Sequence, residues 1–353
     1  MSVRSTPWVM LIPLTLPLLL VAGHAIGGVG EFLTPLVLFV VLPIFDRLVG
    51  DDASSPSDTD VAALQAQRGY TWVLFAWVLL ELALIGWALV QARAPMTGLE
   101  FFGLILSLGI LTGGTGITVA HELGHRLDAR ARSASSLLLF SVGYLHFQVE
   151  HNKGHHSRVG TDEDPASARR DESLWRFLPR TIGGSLASAW HFECDDLMKV
   201  GRPVWHPSNR VLLSLAAWPL LAGVGYAVAG GSGAVLAVGQ ALVAIALLEA
   251  VNYVEHYGLR RRWLEDGRYQ RFSRMHAWDS PRRLTNIVLF NLQRHSHHHQ
   301  DVLRHYQGLE FDDQGPVLPS SYPVMILLAL VPPLFRAAVH PTLDALDDLD
   351  ATA

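Results

Sequence analysis

Residues 98–125 read GLEFFGLILSLGILTGGTGITVAHELGH. Gly98–Ala120 is apolar enough and long enough to cross a bilayer as a helix, since roughly 20 such residues span about 30 Å of hydrocarbon. It runs straight into two histidines, His121 and His125, at i and i+4, a spacing that puts both rings on one helical face. The stretch therefore predicts a membrane helix that delivers a pair of imidazoles to the membrane edge.

Five more windows outward from this one have the same character: Trp8–Gly27, Glu31–Gly50, Tyr70–Val90, Val211–Ala229 and Ala234–Val254. The first resembles the apolar core of a signal peptide, but it runs longer and leads directly into a second span, so it is expected to be retained. Ser135–Phe147 and Tyr322–Val339 are short or interrupted by Pro332 and Pro333, which fits re-entrant or interfacial helices. The expectation is an all-α, polytopic membrane protein with about six transmembrane helices. Residues 1–353 form one integral-membrane domain, with cytoplasmic segments at 121–210 and 255–353.

Composition agrees. Half of the 353 residues are hydrophobic, 17% are charged and the mean hydropathy is +0.26. A soluble domain carries nearer a quarter charged residues, so a soluble α/β enzyme, a disordered chain and a disulfide scaffold are all disfavoured. The single Cys194 excludes internal disulfides and any site needing several thiolates. A net charge of −5 does not suggest a nucleic-acid partner. With a cytoplasmic N-terminus, the outer side holds only the turns near Gly28, Gln91–Thr97 and Gly230–Gly233. Of 27 Lys and Arg residues only Arg93 falls there. That positive-inside bias predicts the cytoplasmic (inner) membrane, with both termini and the entrance to the site on the cytoplasmic side.

Histidine is the unusual residue, with 17 copies, ten of them in four clusters on the predicted cytoplasmic side. The clusters are His121 with His125; His151, His155 and His156; His256; and His295, His297, His298 and His299. HExxH alone is also the zinc-protease signature, with Glu122 as general base. A zinc site uses three or four protein ligands, so nine or ten imidazoles are about right for two metals. Imidazole-rich, thiolate-free coordination suits iron, zinc, copper or nickel. Isolated histidines such as His24 and His206 are expected to be packing or surface residues. Nearby carboxylates (Glu122, Glu150, Asp162, Glu163, Asp164 and Glu255) could accept a ligand's second N–H, with Glu122 and Glu255 favoured because each lies within or directly before a ligand.

The set HELGH, EHNKGHH, NYVEHYGL and LQRHSHHH, in that order and spacing, resembles the bacterial alkane 1-monooxygenases. These are integral-membrane non-haem di-iron hydroxylases related to fatty-acid desaturases. The likeness continues through Asp164-Pro-Ala-Ser167, Glu172-Ser-Leu-Trp-Arg-Phe177, Glu265-Asp-Gly-Arg-Tyr269 and Leu318-Pro-Ser-Ser-Tyr-Pro323, and covers about residues 34–341. The resemblance implies two iron ions held by His121, His125, His151, His155, His156, His256, His295, His298 and His299. It implies no catalytic side chain beyond the metal centre, with Glu122, Glu150, Glu255 and His297 supporting the ligands. One departure lies beside the ligands. The family usually has Asp where His297 stands, and a segment like Ala-x-Pro-Thr-Arg where this chain has Gln300-Asp-Val-Leu-Arg304.

An unactivated terminal C–H bond has no acidic proton and no electrophilic carbon, so its cleavage needs a redox metal that activates O2. The implied reaction joins a medium- to long-chain n-alkane, O2, two electrons and two protons to give a primary alcohol and water. The implied donors are rubredoxin and rubredoxin reductase, expected as separate proteins because rubredoxin needs two CxxC pairs. Arg260-Arg-Arg262 could steer an acidic donor or simply anchor the sixth span. In the second span, family members often place a bulky aromatic five residues before the proline of Pro43-Ile-Phe-Asp46. That position puts Leu38, with Phe39 beside it, at the substrate channel. An aromatic methyl, terpene or fatty acyl substrate is the nearest rival reading. An intramembrane zinc protease leaves three clusters unexplained, and a metal transporter would need more polar spans than these.

Overall fold

The computed structural model describes residues 7–352, and all regular structure among them is helical apart from isolated bridges. Five helices are long and apolar enough to cross a membrane: α1 (Pro7–Ile26), α2 (Gly28–Val49), α3 (Arg68–Gln91), α4 (Gly98–Gly124) and a 47-residue helix. The last, Arg210–His256, is broken at Ala229 and Gly230, where Gly230 has φ +62°, a left-handed conformation open mainly to glycine. Its arms, residues 210–229 and 230–256, coincide with the two windows expected as the fifth and sixth spans.

The connecting segments carry shorter helices, so the series continues with α5 (Ala129–Ser141), α6 (Leu174–Lys199), α7 (Arg210–His256), α8 (His295–Gln300), α9 (Tyr322–Ala329) and α10 (Pro332–Thr352). The apolar stretch Tyr322–Val339 is divided between α9 and α10, which begins at Pro332, a favoured first-turn residue because its missing N–H has no helical partner to lose.

The three predicted outer turns meet at one end. The Gly28 N–H donates to Glu100 Oε1 (2.9 Å), Ser232 Oγ to the Ala92 carbonyl (2.7 Å) and Arg93 Nε to the Val228 carbonyl (2.7 Å). The histidine clusters gather at the opposite end. The extreme N-terminus, residues 1–6, lies outside the described residues.

Two spans and one loop contain π-turns, which insert a residue into the helical ladder and often sit at functional sites. In α2 the turn is Val37–Val41, and Pro43, four residues after its central Phe39, has no N–H to donate back to that residue. In α4 it is Leu111–Gly116, where the Thr112 hydroxyl bonds to the carbonyls of Leu108 (3.1 Å) and Gly109 (3.3 Å). A Cβ at Gly113 in this turn would stand 2.5 Å from Ala244 Cα. Glycine is therefore what lets α4 lie directly against the second arm of α7. The third π-turn, Glu150–His155, carries the second histidine cluster.

Candidate metal centre

Nine of the ten clustered histidines converge as two groups. His121, His125, His151, His156 and His298 form one, and His155, His256, His295 and His299 the other, the ligand atoms in each lying within 4.8 Å of one another. In the first group Nε2–Nε2 separations are 3.3 Å (His121–His125), 3.1 Å (His125–His151), 3.0 Å (His151–His156) and 3.3 Å (His156–His298). In the second, His295 Nε2 is 3.0 Å from both His256 Nε2 and His299 Nε2. Metal–nitrogen bonds of about 2.1 Å at right-angle or tetrahedral geometry put neighbouring donors about 3.0–3.4 Å apart. These imidazoles already sit at that spacing with Nε2 turned inward, so the residues fit two metal ions.

Local structure explains the sorting. His121 and His125 come from the last turn of α4, one α-helical turn apart. His151 and His156 are five residues apart, which in an α-helix would set them about 140° apart. The π-turn, whose hydrogen bonds run i to i+5, brings both to the first group and turns the intervening His155 to the second. Short α8 splits its histidines the same way, sending His298 to the five-membered group and His295 and His299 to the other. The start of α8 is held by buried Asp279, which accepts from the Ser296 N–H (2.7 Å) and hydroxyl (2.8 Å).

Burial among neighbouring imidazoles drives His151, His156, His295, His298 and His299 well below the usual histidine range. They are therefore neutral, with lone pairs free for a metal. His155 differs. Burial opposes its charge, but Asp164, 2.9 Å from Nδ1, holds it above that range, while Asp164 is held below the usual carboxylate range. Its buried Nε2 has no hydrogen-bond partner. With Nδ1–H committed to Asp164, Nε2 is the nitrogen that gives up its proton when a metal binds, an arrangement that fixes the tautomer and the ring orientation.

Asp164 is one of four acids, with Glu150, Asp162 and Glu163, that the sequence alone leaves unranked. Its signal was the Asp164-Pro-Ala-Ser167 element, because the Ser167 hydroxyl donates to it (2.6 Å) and fixes its orientation. The other three carboxylates expected beside the ligands stand differently. Glu122 is engaged by Arg126 at 3.0 and 2.7 Å, which also removes it from the general-base position a zinc protease needs. Glu150 pairs with Arg158 (2.6 Å) and accepts from the His155 backbone N–H (3.2 Å). Glu255 lies 3.3 Å from His295 Nε2. His297 points away from both groups, its Nδ1 accepting from the Glu310 N–H (2.8 Å) rather than supporting a ligand imidazole. His24 contacts Glu31 and His206 contacts Ser208, both apart from the metal groups.

An apolar pocket with a cavity volume of about 70 Å³ lies between α2, α4, α7 and α9 and is lined at one end by His121, His151 and His295, so both groups border it. Leu38 and Phe39 stand in its wall, in the α2 π-turn, and Leu38 is only 8% exposed. Phe147 stacks on His151 with centroids 4.8 Å apart and lines the metal end.

Residues 97–311 match the family model for fatty acid desaturases. The chain is 43% identical over 317 residues to alkane 1-monooxygenase 1 of Pseudomonas aeruginosa, covering 88% of this chain and 82% of that protein. It is 42% identical to alkane 1-monooxygenase 2 of the same organism, over 88% and 83%. To the alkane 1-monooxygenase of Acinetobacter baylyi it is 36% identical, over 88% and 75%. An all-helical membrane fold, two histidine groups at metal-ligand spacing and this degree of identity lead to one conclusion: the chain belongs to the alkane 1-monooxygenase family of membrane oxidoreductases, within the fatty acid desaturase family.

Proposed function

We propose that the protein hydroxylates the terminal methyl of medium- to long-chain n-alkanes with O2, at two irons held by the nine converging histidines. Electrons come from rubredoxin and its reductase at the cytoplasmic face of the inner membrane. The observation that carries the reading is the apolar pocket between the spans that is lined by imidazoles of both groups. An alkane offers no polar handle, so selection falls to the shape and length of such a cavity.

Bound iron supplies the O2 activation that no side chain can. The chain's own residues do the rest. Asp164 fixes the His155 tautomer, Asp279 fixes the start of α8, and Phe147 packs beside His151. The walls from α2, α7 and α9 exclude water and lead one end of a straight chain to the imidazoles. Purified protein is expected to hold about two irons and to form primary alcohol whose oxygen derives from isotopically labelled O2. Zinc in place of iron with peptide-bond cleavage, or oxygen derived from water, would refute the reading.

Chain length is expected to be set at Leu38. A leucine leaves the distal cavity open, which suits alkanes beyond about twelve carbons. Leu38→Trp adds a ring where the far end of the chain would lie, and a packed wall cannot absorb that volume cheaply. Competition assays on an alkane series should show the preferred length shortened, with iron content unchanged. An unaltered profile would remove Leu38 from the channel.

A further inference from the structure

The segment after α7 is the most basic in an otherwise acidic chain, with six arginines against Glu265 and Asp266 over residues 260–274. It forms a hairpin. The Leu264 N–H donates to the Arg268 carbonyl and the Gln270 N–H to the Arg262 carbonyl, both at 2.8 Å, with Trp263 and Tyr269 edge-on at 4.7 Å. The hairpin is fastened to the loop that follows the second histidine cluster. Arg261 N donates to the Gly160 carbonyl (2.8 Å) and Arg261 Nη1 to the Ser157 carbonyl (3.0 Å).

Its outer surface joins charge to apolar area. Trp263 is 63% and Leu264 41% exposed. Arg262 and Arg271 are exposed, with no acidic partner among the described residues. At its root, the half-buried Phe272 ring lies 5.1 Å from the ring of His299, a member of the group whose four histidines are all buried.

We infer that this hairpin is the docking site of the electron carrier, a small acidic one-electron protein, and that Phe272 is its contact with the buried metal centre. The inference rests on the proposed function, which needs two electrons per O2 from outside a chain with one cysteine. Such a carrier would give up one electron per encounter, so two encounters would supply the two electrons that one O2 takes. Unpaired arginines raise the capture rate of an acidic partner, and exposed Trp263 and Leu264 supply the apolar contact that retains it. The substrate cavity approaches the imidazoles through the spans, which leaves the hairpin side for the carrier.

The test uses the full-length, iron-loaded protein in bilayers of neutral lipid, with reduced rubredoxin as probe. Donor oxidation is followed without alkane, with O2 as the terminal acceptor that takes two electrons and two protons to give hydrogen peroxide, so a failure of alkane turnover would overturn the proposed substrate and leave this result standing. Arg262→Glu combined with Arg271→Glu should raise the donor KM at least tenfold and flatten its salt dependence. Iron content and oxidation of a small chemical reductant should stay those of the parent. Phe272→Leu should keep the donor KM and iron content while slowing electron transfer at saturating donor several-fold. An unchanged donor KM in the double variant overturns the inference. So does an effect seen only in anionic bilayers, which would assign the arginines to lipid headgroups.

Discussion

His298→Ala should lose iron and abolish turnover, and alanine at His295 or His299 should do the same, whereas His297→Ala should keep most of its iron. His298 Nε2 stands 3.3 Å from His156 Nε2 in the five-membered group, and His295 Nε2 lies 3.0 Å from both His256 and His299 in the other. Truncating any of them leaves a gap in a donor set whose geometry the rest of the fold fixes. His297 is on the same short helix but accepts from the Glu310 N–H. Its loss costs one half-buried hydrogen bond, about 0.5–1.5 kcal/mol, and loosens the loop over residues 301–310. His297→Asp should be tolerated, because a carboxylate can accept from the same N–H. Iron assays on the four alanine variants decide the matter: equal losses at His297 and His298 would make His297 a ligand.

Asp164→Ala should weaken one metal site and spare the other. Asp164 contacts His155 alone among the nine histidines, and His155 belongs to the four-membered group. Removing a carboxylate that orients a ligand imidazole typically lowers metal affinity about 10–100-fold. Titration with a chelator should then remove iron in two separated steps, the first near half the total, where the parent protein releases it at higher chelator concentration. Loss of both irons in one step, or no change, would show that Asp164 does not act through His155. Asp164→Asn should restore part of the affinity, since its amide oxygen still accepts from Nδ1–H.

The spans were legible because a bilayer imposes one requirement, about twenty apolar residues, that hydropathy measures directly. Their ends fall within a few residues of the expected windows. The convergence of nine histidines was legible from their spacing and shared side. The outward direction of His297 followed from α-helical periodicity, which holds in α8. The division between the groups was not legible, because it depends on the π-turn at Glu150–His155. An α-helical reading sets His151 and His156 apart, and no side chain in EHNKGHH announces the wider turn. The placement of Glu122 has a related reason. Adjacency in sequence favoured Glu122, but a residue beside a helical ligand points about 100° away from it, toward Arg126. Asp164, nine residues from His155, reaches it only because the loop folds back through Ser167.

The interleaving of the ligands has a mechanical meaning. Each group draws on distant parts of the chain: the end of α4, the second cluster and α8 supply one, and the second cluster, the end of α7 and α8 supply the other. Two bound ions would act as two multi-point cross-links that share strands, like a pair of knots tied through the same ropes. The loops so closed run from 26 residues, between His125 and His151, to 142, between His156 and His298, and closing long loops removes conformational freedom from the unfolded chain. Metal binding free energy thus becomes folding free energy for the cytoplasmic end of the bundle, and either ion alone would still tie α8 to the second cluster.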